Sequence, residues 1–205
     1  MDIKEFAELL KAKSGQIDDL LARKMPVFTG RLAKDHYQDN FRKSGFVNRG
    51  LNEWLPAKRL NSGATSAAAN YGTLLSGRNH LFSSTNYSTS PYRTVVFNNV
   101  PYASAHNHGE TVHPTVTPRM RRFAWAKYYE ASGGGKKGTG GRKKGKNSNQ
   151  TNNNDAAQFW KNFALTKKKK LSIKMPLRPF IGESEELNEK IISKHETELR
   201  KILNS

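Results

Sequence analysis

Residues 132–155 contain glycine, lysine, arginine and asparagine and almost nothing apolar, so this stretch cannot bury enough surface to fold by itself. It reads as a long flexible insertion, ordered, where it is ordered at all, by a neighbour. Any core must be assembled from the residues before and after it. The chain has 205 residues, of which 35% are hydrophobic, which is enough for one ordinary domain with a modest core.

Before the insertion, Ile3, Phe6, Leu9, Leu10, Ile17, Leu20 and Leu21 recur at three- and four-residue spacings, the pattern of an amphipathic helix that Gly15 interrupts. Met25 and Pro26 are expected to end it, because proline lacks the N–H that a helix interior uses. A second helix is expected from about Thr29, with Gly45 as its stop. Residues 48–69 read as a loop pinned by Trp54, and 71–84 as a short helix broken at Gly77. The aromatic and β-branched residues of 87–98 predict a hairpin turning near Ser90 and Pro91. Residues 111–117 form a further extended segment that is a candidate to pair with it. Residues 119–131 fit helix or strand; after the insertion come a strand at 171–174 and a helix at 183–203 with Leu187, Ile191, Leu199 and Ile202 on one face.

Lysine and arginine number 35 against 17 acidic residues, for a net charge of +18 and an isoelectric point near 10.1. Such a field attracts polyanions. Part of the excess lies in Lys136, Lys137, Arg142, Lys143, Lys144 and Lys146 and in Lys167, Lys168, Lys169 and Lys170, which are candidates to touch DNA or an acidic partner. The aromatics Phe123, Trp125, Tyr128 and Tyr129 stand among basic residues, where they can stack on bases or, more simply, pack in a core or subunit contact. No stretch approaches the length of a bilayer span and the first residues lack an apolar leader core, so a soluble protein made in the cytosol is expected.

Catalytic chemistry finds little support. The absence of cysteine excludes disulfides, thiolate metal sites and cysteine nucleophiles. His106, His108, Glu110 and His113 offer imidazole and carboxylate ligands, from which a metal-dependent nuclease could be built, but their spacing fits no strong metal motif. The glycine-lysine runs at 133–137 and 140–143 lack the GxxxxGK[ST] pattern of a phosphate loop. No acid–base pair, serine elbow or carboxylate cluster stands out, so no enzyme, no metal and no cofactor is expected.

Five segments, taken in order, carry a resemblance. They are Phe41 to Phe46 followed by Trp54-Leu55-Pro56; Leu74 to Leu81 around Gly77; Tyr102-Ala103-Ser104-Ala105-His106-Asn107-His108-Gly109; and Met175-Pro176-Leu177-Arg178-Pro179-Phe180-Ile181-Gly182 before a terminal helix. With the amphipathic start, this order resembles the phage virion morphogenesis family, which includes tail-completion proteins and is related to head-tail connector proteins. The similarity does not extend over 132–155.

The resemblance implies an α+β fold, a small antiparallel sheet with N-terminal and C-terminal flanking helices, here carrying a long basic insertion. It also implies a homo-oligomeric ring, for which a hexamer is one option, at the neck or the head-proximal end of the tail, assembled in the host cytoplasm. Other neck, connector and tail proteins, and genomic DNA held non-specifically in a channel, are the implied partners, with no membrane. The rival expectation is a non-specific nucleic-acid-binding protein that uses the basic loop and the neighbouring aromatics.

Overall fold

The computed structural model describes residues 3–61, 67–132 and 150–204. The fold is α+β, with small two-stranded antiparallel sheets among helices. In chain order the elements are α1 (Ile3–Asp19), α2 (Met25–Lys43), β1 (Gly45–Val47), β2 (Leu51–Glu53), α3 (Ala67–Asn70), α4 (His80–Ser83), β3 (Thr85–Ser90) and β4 (Arg93–Asn98). Then follow α5 (Ala103–His108), β5 (Thr111–Val112), α6 (Pro118–Ala131), α7 (Gln150–Leu165), β6 (Ile173–Lys174) and α8 (Glu185–Leu203). The chain divides into two compact units, Met1–Glu110 with Met175–Ser205, and Thr111–Lys174. Among the described residues, no helix is long and apolar enough to cross a membrane.

In the first unit, α1 and α2 are joined by a wide π-turn, Leu20–Lys24, and the expected break at Pro26 does not occur. The turn explains why. Met25 donates to the Leu20 carbonyl five residues back, and Pro26 then enters at the start of α2, where its missing N–H is tolerated. The carbonyl that Pro26 would have bonded in a regular helix, that of Ala22, instead accepts from the backbone N–H of Tyr92 at 3.3 Å. Gly15 likewise does not interrupt α1. At the other end of α2 the stop is Ser44, one residue earlier than expected, in the left-handed conformation at φ 53°.

α2 is the centre of this unit. Its buried positions Gly30, Ala33, Tyr37, Asn40 and Phe41 follow the three- and four-residue rhythm of one helix face, and that face packs on β3, β4 and α8. One cluster of buried side chains joins Phe41, Trp54, Leu81, Val100, Ala103 and Phe180, and another joins Ala33, Tyr37, Phe46 and Leu187. Phe41 lies edge-on to Trp54 at 5.7 Å and tilted against Phe180 at 5.1 Å. Burying each ring stabilises by about 2–3 kcal/mol before strain and entropy are counted.

The hairpin at 85–98 forms as expected, one residue displaced, with Ser90 opposite Arg93 and Pro91-Tyr92 as the turn. Residues 48–69 are less loop-like than expected, since β1 pairs with β2 through a tight turn in which Gly50 takes φ 100°. Residues 71–79 form turns, and only His80–Ser83 is helical.

In the second unit, β5 pairs with β6, not with the 85–98 hairpin, and the ladder continues through a bridge from Thr115 to Lys170. Residues 119–131 are helical: Thr117 caps α6 by accepting from the Met120 N–H at 3.3 Å, and Pro118 occupies the first turn. α6 and α7 pack side by side on small buried residues, Ala124, Ala157 and Ala164, which let the two backbones approach. Of the insertion at 132–155, Ser132 closes α6 by donating to the Tyr128 carbonyl at 2.8 Å, and residues 150–155 open α7. The composition of 150–155 hides this, because its asparagines lie on a helix whose apolar anchors come only later, at Phe159, Trp160 and Phe163. Lys136, Lys137, Arg142, Lys143, Lys144 and Lys146 lie outside the described residues.

Candidate functional site

Trp54, the 102–109 segment and the 175–182 segment meet in the first unit. Asn107, on α5, is the hub: its side-chain oxygen accepts from the N–H groups of Phe180 at 2.9 Å and Ile181 at 3.0 Å. Its amide nitrogen donates back to the Ile181 carbonyl at 3.0 Å. Two backbone bonds extend the seam, from Met175 N–H to the Glu110 carbonyl at 3.0 Å and from Arg178 N–H to the His106 carbonyl at 2.9 Å. Pro176 and Pro179, which have no N–H, fall between these donors and stiffen the segment.

Gly109 ends α5 at φ 67°, donating to the Ala105 carbonyl, and a β-carbon there would press on the Leu177 backbone at 3.3 Å. Only glycine suits both demands. The Trp54 indole donates to the Pro179 carbonyl at 2.8 Å, and the Tyr37 hydroxyl to that of Gly182 at 2.8 Å. Phe180, 1% exposed, fills the core beneath.

Arg178 is also buried. Its guanidinium donates to the carbonyls of Leu55 at 2.9 Å and Pro56 at 3.3 Å, and desolvation, then the nearby Arg59 charge, lowers its pKa. Arg59 reaches three carbonyls, those of Tyr71, Gly72 and Leu75, at 2.6 to 3.1 Å. Together with Ala57, Leu74, Leu75, Ser76, Leu81, Tyr102 and His106, the two arginines border a cavity of about 200 Å³. His106 has its Nδ1 buried without a hydrogen-bond partner, and burial, then the Arg178 charge, lowers its pKa. Tyr102 stays 44% exposed at the rim, edge-on to His106 at 6.0 Å. Gly77 sits apart from this seam, against the Tyr71 hydroxyl. What this arrangement does chemically is to lock four chain segments together through backbone carbonyls and N–H groups.

The proposed ligand quartet does not assemble. Among the described residues no three histidine, aspartate or glutamate side chains are placed to hold a metal ion. His106 points into the fold, Glu110 accepts from the Ser104 hydroxyl at 2.5 Å, and His113 belongs to the second unit.

That second unit carries a different surface. Phe123, Phe159, Trp160 and Phe163, with Met120 and Ile173, border an open apolar cavity of about 650 Å³, and Arg119 stands at its edge. Phe123 lies edge-on to Trp160 at 5.8 Å, and Phe159 edge-on to the same indole at 5.1 Å. Lys167, Lys168, Lys169 and Lys170 are all exposed. The sequence showed the aromatics of α6, but not that the 159, 160 and 163 rings join them; the signal was their one-and-four spacing on a helix. Arg59 left no such signal. No family model, no curated protein and no solved structure matches the chain.

Proposed function

We propose that this chain is a non-enzymatic structural protein of a tailed-phage virion, which completes or terminates the tail and joins it to the head as a homo-oligomeric ring at the neck. The observation that carries the reading is the seam around Asn107. Two of the segments on which the family resemblance rests, 54–56 and 102–109, both bond directly to a third, 175–182, across separations of up to 125 residues in sequence. Segments that meet in this way act as one structural signature, which chance similarity of short peptides would not require.

The surface of the same unit suits a subunit contact. Ile3, Leu9 and Leu10 on α1 and Ile192 and Leu203 on α8 are each at least 43% exposed, apolar surface that head-to-tail packing of copies would cover. Other neck and tail proteins would be the neighbours of the ring. Electron microscopy of the purified protein is expected to find closed rings, and antibody labelling of virions to mark the tail–head junction. Virions with no copy at that junction would rule the reading out.

A further inference from the structure

The charge of this protein is not spread over it. Sixteen of the 35 lysines and arginines lie in Thr111–Lys174, which holds only two of the 17 carboxylates, Glu130 and Asp155. The second unit therefore carries +14 of the net +18, and the other 141 residues, with 19 basic and 15 acidic side chains, carry +4. So nearly complete an exclusion of carboxylates from 64 residues exceeds what solubility asks and points to a polyanion.

The same unit exposes apolar rings. Phe123 is 54% and Phe159 60% exposed, on either side of Trp160, around the open cavity described above. An exposed aromatic cluster of this kind marks a surface that something covers. Residues 133–149, the nearest chain in sequence, contain no aliphatic or aromatic side chain to do so. An apolar ligand would fill the cavity and leave the charge without a role; a duplex would use the charge and leave the rings without one. A single-stranded nucleic acid uses both, because each nucleotide brings a phosphate and an uncovered π-face.

Arg119 lines the cavity, and the exposed lysines at 167–170 immediately precede its lining residues Leu171, Ser172 and Ile173 in the chain, with the Lys169 carbonyl accepting from Val116 N–H at 2.8 Å. We infer that Thr111–Lys174 is a binding module for single-stranded nucleic acid, which stacks bases on Phe123 and Phe159 and neutralises phosphates with Arg119 and the lysines at 167–170. The site rests on the second unit alone and stands whether or not the protein forms a ring.

Fluorescence anisotropy with the full-length protein tests this, using a labelled oligothymidine of about 20 nucleotides and a duplex of equal length. The single strand should bind more tightly, and its affinity should fall about a hundredfold between about 50 and about 200 mM salt if some five phosphates are neutralised. Phe123→Ala and Phe159→Ala should each weaken single-strand binding roughly tenfold and leave duplex binding unchanged. Phe159→Leu keeps an apolar side chain and removes the ring, so an equal loss assigns the effect to stacking and not to misfolding. Replacing the lysines at 167–170 by glutamine should weaken both nucleic acids. The inference is overturned by no binding at low salt, by a duplex that binds as tightly as the single strand, or by affinity indifferent to both phenylalanines. Poly-glutamate that displaces the oligonucleotide at equal charge would overturn it too, in favour of an acidic protein.

Discussion

Two asparagines in this protein take over the work that a continuous sheet does elsewhere. Asn40, wholly buried on α2, accepts from Val47 N–H at 3.1 Å and donates to the Phe180 carbonyl at 3.3 Å, so one side chain ties β1 and the 175–182 segment to the central helix. Asn107 makes three such bonds from α5. Asn107→Ala would leave two N–H groups and a carbonyl without partners, and since each loss costs about 1 kcal/mol, urea unfolding should show about 2–3 kcal/mol of destabilisation. Asn107→Asp should also destabilise, because a carboxylate cannot donate to Ile181. The histidines make a second prediction. Burial, the largest cause for each, lowers the pKa of His36, His106 and His195 from the ordinary 6.5. Lys190 and Lys43 near His36 lower it further while Val47 and Glu186 oppose them; Arg178 adds to the lowering at His106, and a Met25 hydrogen bond opposes it at His195. With the folded pKa below the unfolded one, the unfolded chain takes up protons first as pH falls. Stability contributed by the neutral rings is therefore present above 6.5 and lost progressively below it. Carboxylates do not mask this, since the loss from Glu198, held at about 2 mainly by hydrogen bonds from Lys194 and Lys201, begins only below about 4.5. The melting temperature should be level from about pH 8 to 7 and fall between about 6.5 and 5, and the His36→Gln/His106→Gln double variant should flatten that fall.

Where elements cross, small residues decide the geometry. Gly30 is buried in α2 where β3 passes, and a β-carbon there would stand 2.2 Å from the Tyr87 ring. In an exposed helix, glycine to alanine stabilises by up to about 1 kcal/mol. At this position overlap with the ring reverses the sign, and Gly30→Ala should cost about 1–3 kcal/mol in chemical unfolding. Adding Tyr87→Ala should restore part of that loss, so the double-mutant cycle should show a coupling of about 1 kcal/mol. The same crossing explains what could be read from the sequence and what could not. α8 and the 85–98 hairpin announce themselves through local periodicity and a local turn, and both lie within a residue or two of the expected positions. The passage of helix through Pro26 does not, because it depends on Tyr92, a residue 70 positions from Ala22, supplying the N–H that the proline lacks. Tyr92 itself adopts φ 58°, uncommon for so bulky a residue, and its hydroxyl bonds Asp18 on α1. The partner of β5 was hidden for a like reason: 111–112 and 173–174 are short extended segments with nothing in either to name the other. At the Asn107 seam the segments were readable as short patterns, while Arg59 was not, since an arginine that binds carbonyls leaves no rhythm in its neighbours.

The molecule as a whole is a nearly neutral unit with a strongly basic one inserted into it, and the insertion point is closed. Met175 N–H bonds the Glu110 carbonyl at 3.0 Å, so the two ends of the first unit are already adjacent where the second leaves and returns. All the buried residues of the two core clusters belong to the first unit. Its stability should therefore not depend on Thr111–Lys174. Replacing that unit by a linker of about three glycine and serine residues is expected to leave a chain that unfolds cooperatively, because closing so short a loop costs less entropy than ordering the unit removed. Its net charge would drop from +18 to +4, and it should leave a cation-exchange or heparin column at far lower salt than the full protein. A shortened chain with a helical circular dichroism spectrum but no sharp thermal transition would show instead that the first unit needs the second in order to pack. The result also bears on assembly. If the full protein forms the proposed ring and the shortened chain does so too, the contacts between copies lie on the first unit, where α1 and α8 leave Ile3, Leu10, Ile192 and Leu203 exposed, and the basic unit is free for another partner.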